Sequence, residues 1–224
     1  GVFRTMDGGA SWQRHQQGLE PGYGYLLRGG RHGDRMYLMP GTRQLYRGDI
    51  DGVWQPATPP LAPGAWVRDV AIHPADDERL MVLVEPNQLL SSTDGGASFS
   101  PVAMSGIPAG AVMVELEYAT PTRLLATFRE TGSYLTGLLR SEDGGASWTT
   151  GAQITITGGW QAQLRTSPDD ADRLYLLAPD LVRRSDDAGD TLVDCAALPG
   201  DDWPTTIELE PDEADRVWVG GRRG

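Results

Sequence analysis

Apolar positions in this chain fall into short runs separated by turns, and the runs recur. WVRDVAIHPADDERLMVLV (66–84), WQAQLRTSPDDADRLYLL (160–177) and WPTTIELEPDEADRVWVG (203–220) share one grammar. In each, an aromatic residue precedes an apolar run, a proline follows 8 positions after the aromatic, and an arginine 13 positions after it opens a second apolar run. An acidic turn lies between the runs. Short apolar runs bounded by Pro and Asp predict strand, turn, strand. VMVELEYATPTRLLATF (112–128) is a variant with a shorter turn, and YLLRGGRHGDRMYLM (25–39) is another.

A second pattern alternates with the first. TMDGGASW (5–12), STDGGASF (92–99) and SEDGGASW (141–148) are nearly identical eight-residue boxes. SDDAGDTL (185–192) is a worn copy and RGDIDGVW (47–54) a more worn one. Their anchors are Asp7, Asp49, Asp94, Asp143 and Asp187, at intervals of 42, 45, 49 and 44. Each box follows a strand-like run, such as Leu89–Ser92 or Leu138–Ser141. Asp-Gly-Gly then marks a tight turn in which the carboxylate accepts backbone N–H groups and glycine supplies positive φ. The closing Trp or Phe starts the next strand and wedges into the core.

One repeat is thus four strands, two before the box region and one on each side of the box. Repeated four-stranded units of roughly 40–50 residues predict an all-β fold, a β-propeller of four-stranded antiparallel blades. The units fall at about 22–57, 66–102, 111–150, 160–195, and 203–224 closed by 1–18. The chain ends after the second strand of a unit and begins at the third, so joining its ends closes the repeat at an interval of 44. A single domain of about five blades is expected, with a piece of a larger propeller as the rival.

Composition narrows the partners. In 224 residues, Gly 29 and Pro 16 suit many tight turns. The net charge of -12, with 19 basic residues that are all Arg, repels nucleic acid and anionic membranes. No stretch reaches the ~18 apolar residues of a membrane span. The chain opens on Gly1, consistent with a leader peptide removed upstream. Cys195 is the one cysteine, so no intrachain disulfide forms, and it is expected to be a small buried apolar residue.

The three intact boxes resemble the Asp-box, or bacterial neuraminidase repeat, S/T-x-D-x-G-x-S/T-W/F. Proteins with this box include sialidases, two-propeller xyloglucan-degrading glycosidases, sortilin-type receptors and photosystem II assembly factors. The resemblance covers essentially the whole chain and implies a propeller whose boxes sit at the turn between third and fourth strands, away from the ligand face. Asp7, Asp94, Asp143 and Asp187 are accordingly structural. It also implies export, to the periplasm, the cell surface or the medium. A sialidase carries an Arg-Ile-Pro-like segment; this chain has none, and no sialidase residue is carried over.

Chemistry has to be sought elsewhere, because a fold does not dictate a function. First strands line the central channel of a propeller, and there lie Asp69, Glu115, Glu117, Glu208 and Glu210. A glycosidase needs two carboxylates roughly 5–10 Å apart; solvated channel charge is the alternative. The acidic turns at 76–78, 169–172 and 212–215 lack the spaced oxygens of a calcium loop and are expected to face solvent. His15, His32 and His73 lie in different units, so no metal and no cofactor is expected.

Trp66, Trp160 and Trp203 occupy one repeat position, just before the first strand, with Tyr25 as a fourth and Met113 in the remaining unit. Two roles are open to them. They form a platform that stacks on sugars or grips a partner's side chains, or they pack between blades. The long connections 56–65, 101–110 and 198–204 belong to the same face. The expected function is a non-catalytic binding or scaffold propeller, working on a protein or carbohydrate ligand through its central face. A glycoside hydrolase, or the carbohydrate-binding module of one, is the alternative.

Overall fold

The computed structural model describes residues 2–20, 24–30, 35–40, 44–49, 52–156, 162–179, 181–196, 204–210 and 213–221. The chain divides into two compact units, Gly1–Pro101 and Val102–Gly224. Among the described residues every regular element is a strand, and no helix is long and apolar enough to cross a membrane.

The first unit opens with β1 (Phe3–Arg4) and β2 (Gln13–Arg14), paired across the first box. A four-stranded blade follows: β3 (Gly24–Gly29), β4 (Arg35–Pro40), β5 (Tyr46–Asp49) and β6 (Gln55–Pro56). The next blade is β7 (Val67–Ile72), β8 (Leu80–Val84), β9 (Gln88–Ser92) and β10 (Ser100–Val102). The second unit holds two further blades. One is β11 (Ala111–Tyr118), β12 (Leu124–Glu130), β13 (Leu135–Ser141) and β14 (Thr149–Thr155). The other is β15 (Gln163–Thr166), β16 (Leu174–Leu177), β17 (Val182–Ser185) and β18 (Val193–Asp194). The antiparallel pair β19 (Pro204–Glu210) and β20 (Glu213–Gly221) ends it.

Every sheet is an antiparallel meander in chain order, and within each unit the first strands lie side by side, β3 with β7 and β11 with β15 and β19. This is a β-propeller of four-stranded antiparallel blades. The core lies between blade faces. Tyr37, Met39 and Leu45 of one blade meet Val67, Val70, Leu80, Val82 and Val84 of the next. In the second unit Leu125 and Leu138 meet Leu164, Leu174 and Leu176, and Tyr175, Leu177 and Val182 meet Ile207. Inner strands are buried on both faces, so β8 (LMVLV) is nearly continuously apolar rather than alternating.

The boxes explain why so many short strands turn where they do. In the third box Asp143 Oδ1 accepts the Ser147 N–H and the Ser141 hydroxyl, each at 2.8 Å, and Oδ2 accepts the Ser147 hydroxyl at 2.6 Å. The same bonds recur around Asp7 and Asp94. The worn box keeps them through Thr191, whose N–H and hydroxyl reach Asp187 at 2.8 and 2.7 Å. There Ala188 holds φ 56, where the intact boxes use glycine. Hydroxyl and amide donors favour the charged carboxylate. Asp7, Asp94 and Asp143 are therefore lowered to about 2, first by the hydroxyls of Ser11, Ser98 and Ser147 respectively. In the most worn copy Arg47 and Val53 replace the two hydroxyl-bearing residues, and Asp49 pairs with Arg35 at 2.9 Å.

Arginines fasten two of the boxes to the blade before them. Arg47 donates to the carbonyls of Asp94 and Gly95, each at 3.1 Å, and Arg140 to those of Asp187 and Ala188, each at 3.3 Å. The acidic turns share this task and are more than solvated. Glu78 pairs with Arg35 of the preceding blade, Asp172 with Arg123, and Asp215, at the corresponding position on β20, with Arg173. Asp186 is also held below the ordinary carboxylate range, first by a hydrogen bond from Arg173.

Candidate functional site

Backbone bonds orient each blade. The box amides of Gly95, Gly144 and Ala188 donate to Glu78, Thr122 and Asp172, which lie in the turn between first and second strands. That turn and the box therefore share one end of the blade. The start of the first strand and the turn between second and third strands lie at the other end.

At that other end of the β7–β10 blade sits Trp66, with 37% of its surface exposed. Its carbonyl accepts the Glu85 N–H at 3.1 Å, so Trp66 and Glu85 face each other across the β7–β8 pair, one step beyond Val67 and Val84. The approach to Trp66 is a tight turn, Ala62-Pro63-Gly64-Ala65, closed by the Ala65 N–H on the Ala62 carbonyl at 3.0 Å. Proline at the second position and glycine at the third, here with φ 88, is what a type II turn requires. The same geometry recurs at Pro108-Ala109-Gly110-Ala111, before β11. Between the Ala62–Ala65 turn and the Glu85–Gln88 turn opens a cavity of about 540 Å³, lined by Ala62, Pro63, Gly64, Ala65, Glu85, Pro86, Asn87 and Gln88. That volume lies within the range of small-ligand and peptide side-chain sites.

Of the other predicted platform residues, Trp160 and Trp203 lie outside the described residues, as does the side chain of Tyr25 on β3. Met113, at the equivalent repeat position, is fully buried in the core.

Asp69, Glu115, Glu117 and Glu208 bridge neighbouring first strands, while Glu210 bonds within its own hairpin. In the first unit Asp69 is buried, with Arg28 Nη2 at 3.4 Å and its own Oδ1 accepting the Val70 N–H at 2.8 Å. In the second unit Arg165 lies between two glutamates, 3.1 Å from Glu115 and 3.2 Å from Glu208. Glu115 also accepts the Leu164 N–H at 2.7 Å. Glu117 accepts the Thr166 hydroxyl at 3.0 Å, and Glu210 the Trp218 indole N–H at 3.0 Å. Glu115 and Glu208 are thus brought together, but around a guanidinium. A glycosidase pair flanks the bond to be cut, with room for substrate or water between the carboxylates.

The His15 and Trp54 rings meet at a tilt of 58° with centroids 5.9 Å apart, and His73 Nδ1 accepts the Ala75 N–H at 3.2 Å. His32 lies outside the described residues. Among the described residues no group of three or more His, Cys, Asp or Glu side chains is placed to hold a metal ion. Cys195 is partly buried against the β15–β18 blade, and burial raises its thiol.

No family model matches this chain, and no curated protein does. Solved structures do. An ancestral GH74 enzyme superposes with a TM-score of 0.61 at 18% identity, over 93% of this chain and 29% of its own. YCF48 from Cyanidioschyzon merolae gives 0.61 at 16% identity, over 93% of this chain and 67% of its own. The GH74 xyloglucanase from Xanthomonas campestris gives 0.63 at 16% identity, over 86% and 34%. The chain therefore spans about a third of the two GH74 enzymes. At such identities the likeness shows the fold, a propeller repeat, and the site has to speak for the activity.

Proposed function

We propose that this chain is a non-catalytic binding propeller of the Asp-box kind, exported, which engages a protein partner through the blade end that carries Trp66. One observation carries the proposal: a large indole is left one-third exposed beside a preformed cavity, at the end of the blade opposite the box. Trp66 is far more exposed than Trp54 and Trp148 and less so than Trp12 and Trp218; its place beside the cavity-lining residues Ala65 and Glu85 sets it apart. Aromatic residues next to a pocket are favoured anchors for a partner. The arginine-bridged carboxylates point the same way, because they are committed to holding strands together.

The test is a random peptide library displayed against the immobilised chain, run beside a glycan array, with wild type and Trp66→Ala compared. Peptides retained by wild type and lost on Trp66→Ala support a protein-binding face. Cleavage of a glycan by wild type, lost on Glu115→Gln, overturns the proposal in favour of a glycoside hydrolase. Fractionation of the source cells tests export.

A further inference from the structure

Blades within each unit meet through one repeated contact. Tyr37, Leu125, Tyr175 and Trp218 each stand two positions after the arginine at the head of a second strand. Leu27, Val70, Leu164 and Ile207 each lie on a first strand, paired with the residue three positions after that arginine. Residues of the first kind share a core cluster with residues of the second kind on the next blade: Tyr37 with Val70, Leu125 with Leu164, and Tyr175 with Ile207. Those six side chains are 5% exposed or less, whereas Trp218 is 62% exposed and Leu27 51%. The Trp218 indole N–H is tied to Glu210, which fixes the ring while most of its surface stays in solvent. One chain thus presents both halves of its own blade contact to solvent.

Charge follows the same repeat. Arg35, Arg123 and Arg173 clasp Glu78, Asp172 and Asp215 of the next blade, and each of those acids stands immediately before an arginine in sequence. Arg216 is the next arginine in that series. Its side chain is exposed and, among the described residues, pairs with Glu213 of its own hairpin at 2.9 Å. Asp34 stands immediately before Arg35 in the same pattern and lies outside the described residues.

We infer that the strand face carrying Trp218 in one copy of this chain packs on the face carrying Leu27 in a second copy, reproducing between molecules the contact that joins blades within each unit. The occupant is a second copy because the surface that fits each face is already part of this chain. An indole meets a leucine-bearing strand, as Tyr175 meets Ile207, and Arg216 is carried toward the acid before Arg35, as Arg173 is toward Asp215. Burial of large apolar side chains left open on a strand face drives the association, and the arginine clasp sets its register. The contact joins two different patches, so each added copy still offers a free face and assembly runs head to tail beyond two copies. This surface goes beyond the Trp66 proposal and does not depend on it.

The experiment is sedimentation equilibrium on the full chain from about 1 μM to about 1 mM, the span of weak to moderate association. The average mass of wild type should rise with concentration past that of a dimer. Trp218→Glu and Leu27→Glu each destroy one face, and each should weaken self-association at least about tenfold, as loss of an aromatic anchor does. Mixed in equal amounts, the two variants still share one intact pair of faces, so the mixture should form a dimer and stop there. Both side chains lie at the surface, and far-ultraviolet circular dichroism checks that each variant folds. A second arm avoids the apolar residues altogether: Arg216→Glu should weaken assembly, and mixing it with Asp34→Arg should restore it. Wild type that stays monomeric at every concentration overturns the inference in favour of a different occupant. Assembly that survives undiminished in Trp218→Glu alone, or a mixture that remains monomeric, overturns it as well.

Discussion

Removing Arg165 tests whether the channel carboxylates are structural. Its guanidinium reaches Glu115 at 3.1 Å with both side chains about 15% exposed or less, and Glu208 at 3.2 Å where the glutamate is 65% exposed. A hydrogen bond to a charged, largely buried partner contributes about 1.5–3 kcal/mol. The exposed Glu208 pair adds about 0–1 kcal/mol. Arg165→Met, which keeps the stem and removes the charge, should therefore cost about 2–4 kcal/mol. With a urea slope of about 2 kcal/mol/M, the midpoint falls by about 1–2 M. In a double-mutant cycle Arg165→Met and Glu115→Gln should couple by about 1–3 kcal/mol, while Glu208→Gln couples by less than about 1 kcal/mol. Denaturation followed by far-ultraviolet circular dichroism reads all four corners of the cycle. Additive losses, with coupling under about 0.3–0.5 kcal/mol, would refute the strand-holding role. Peptide binding by Glu115→Gln should match wild type.

Three further expectations follow from the boxes. Trp148 is 3% exposed and donates its indole N–H to Gly145 at 2.9 Å, whereas Trp12 at the same box position is 62% exposed. Trp148→Ala should cost about 3–5 kcal/mol and Trp12→Ala under about 1 kcal/mol, measured by urea melts. A Cβ at Gly151 would run into the carbonyl oxygen of Gly189 in the adjacent blade's box, so Gly151→Ala should destabilise by about 1–3 kcal/mol in the same assay. Asp7, Asp94 and Asp143 are lowered to about 2 in the folded state, against 3.8 ordinarily. A lowered folded value contributes stability that is fully present above pH 3.8 and is lost as pH falls toward 2. Thermal melts should fall across that window, and the fall should be shallower in Asp143→Asn; an unchanged slope would contradict the box electrostatics.

What could be read from the residues alone is what local interactions decide. The box closes on itself: its Asp bonds to residues two and four positions away, so S-x-D-G-G-x-S predicts its own turn without reference to the rest of the chain. Alternation of box with strand-turn-strand motif then determines four-stranded units and the propeller class. The Pro63-Gly64 turn is likewise legible, since proline and glycine set the backbone by themselves.

Tertiary structure decided everything that depends on how one blade stacks on the next. Arg35, Arg123 and Arg173 reach acids 42 to 49 residues away, so turns that look merely solvated in sequence become clasps. Glu115 and Glu208 form a candidate catalytic pair on paper, and only stacking puts Arg165 between them. Trp12, Trp66 and Trp148 are alike as letters; their exposures of 62%, 37% and 3% depend on which neighbouring surface covers each indole. Burial and charge pairing are properties of surfaces brought together, and a repeat specifies its own hairpins far more directly than it specifies what lies against them.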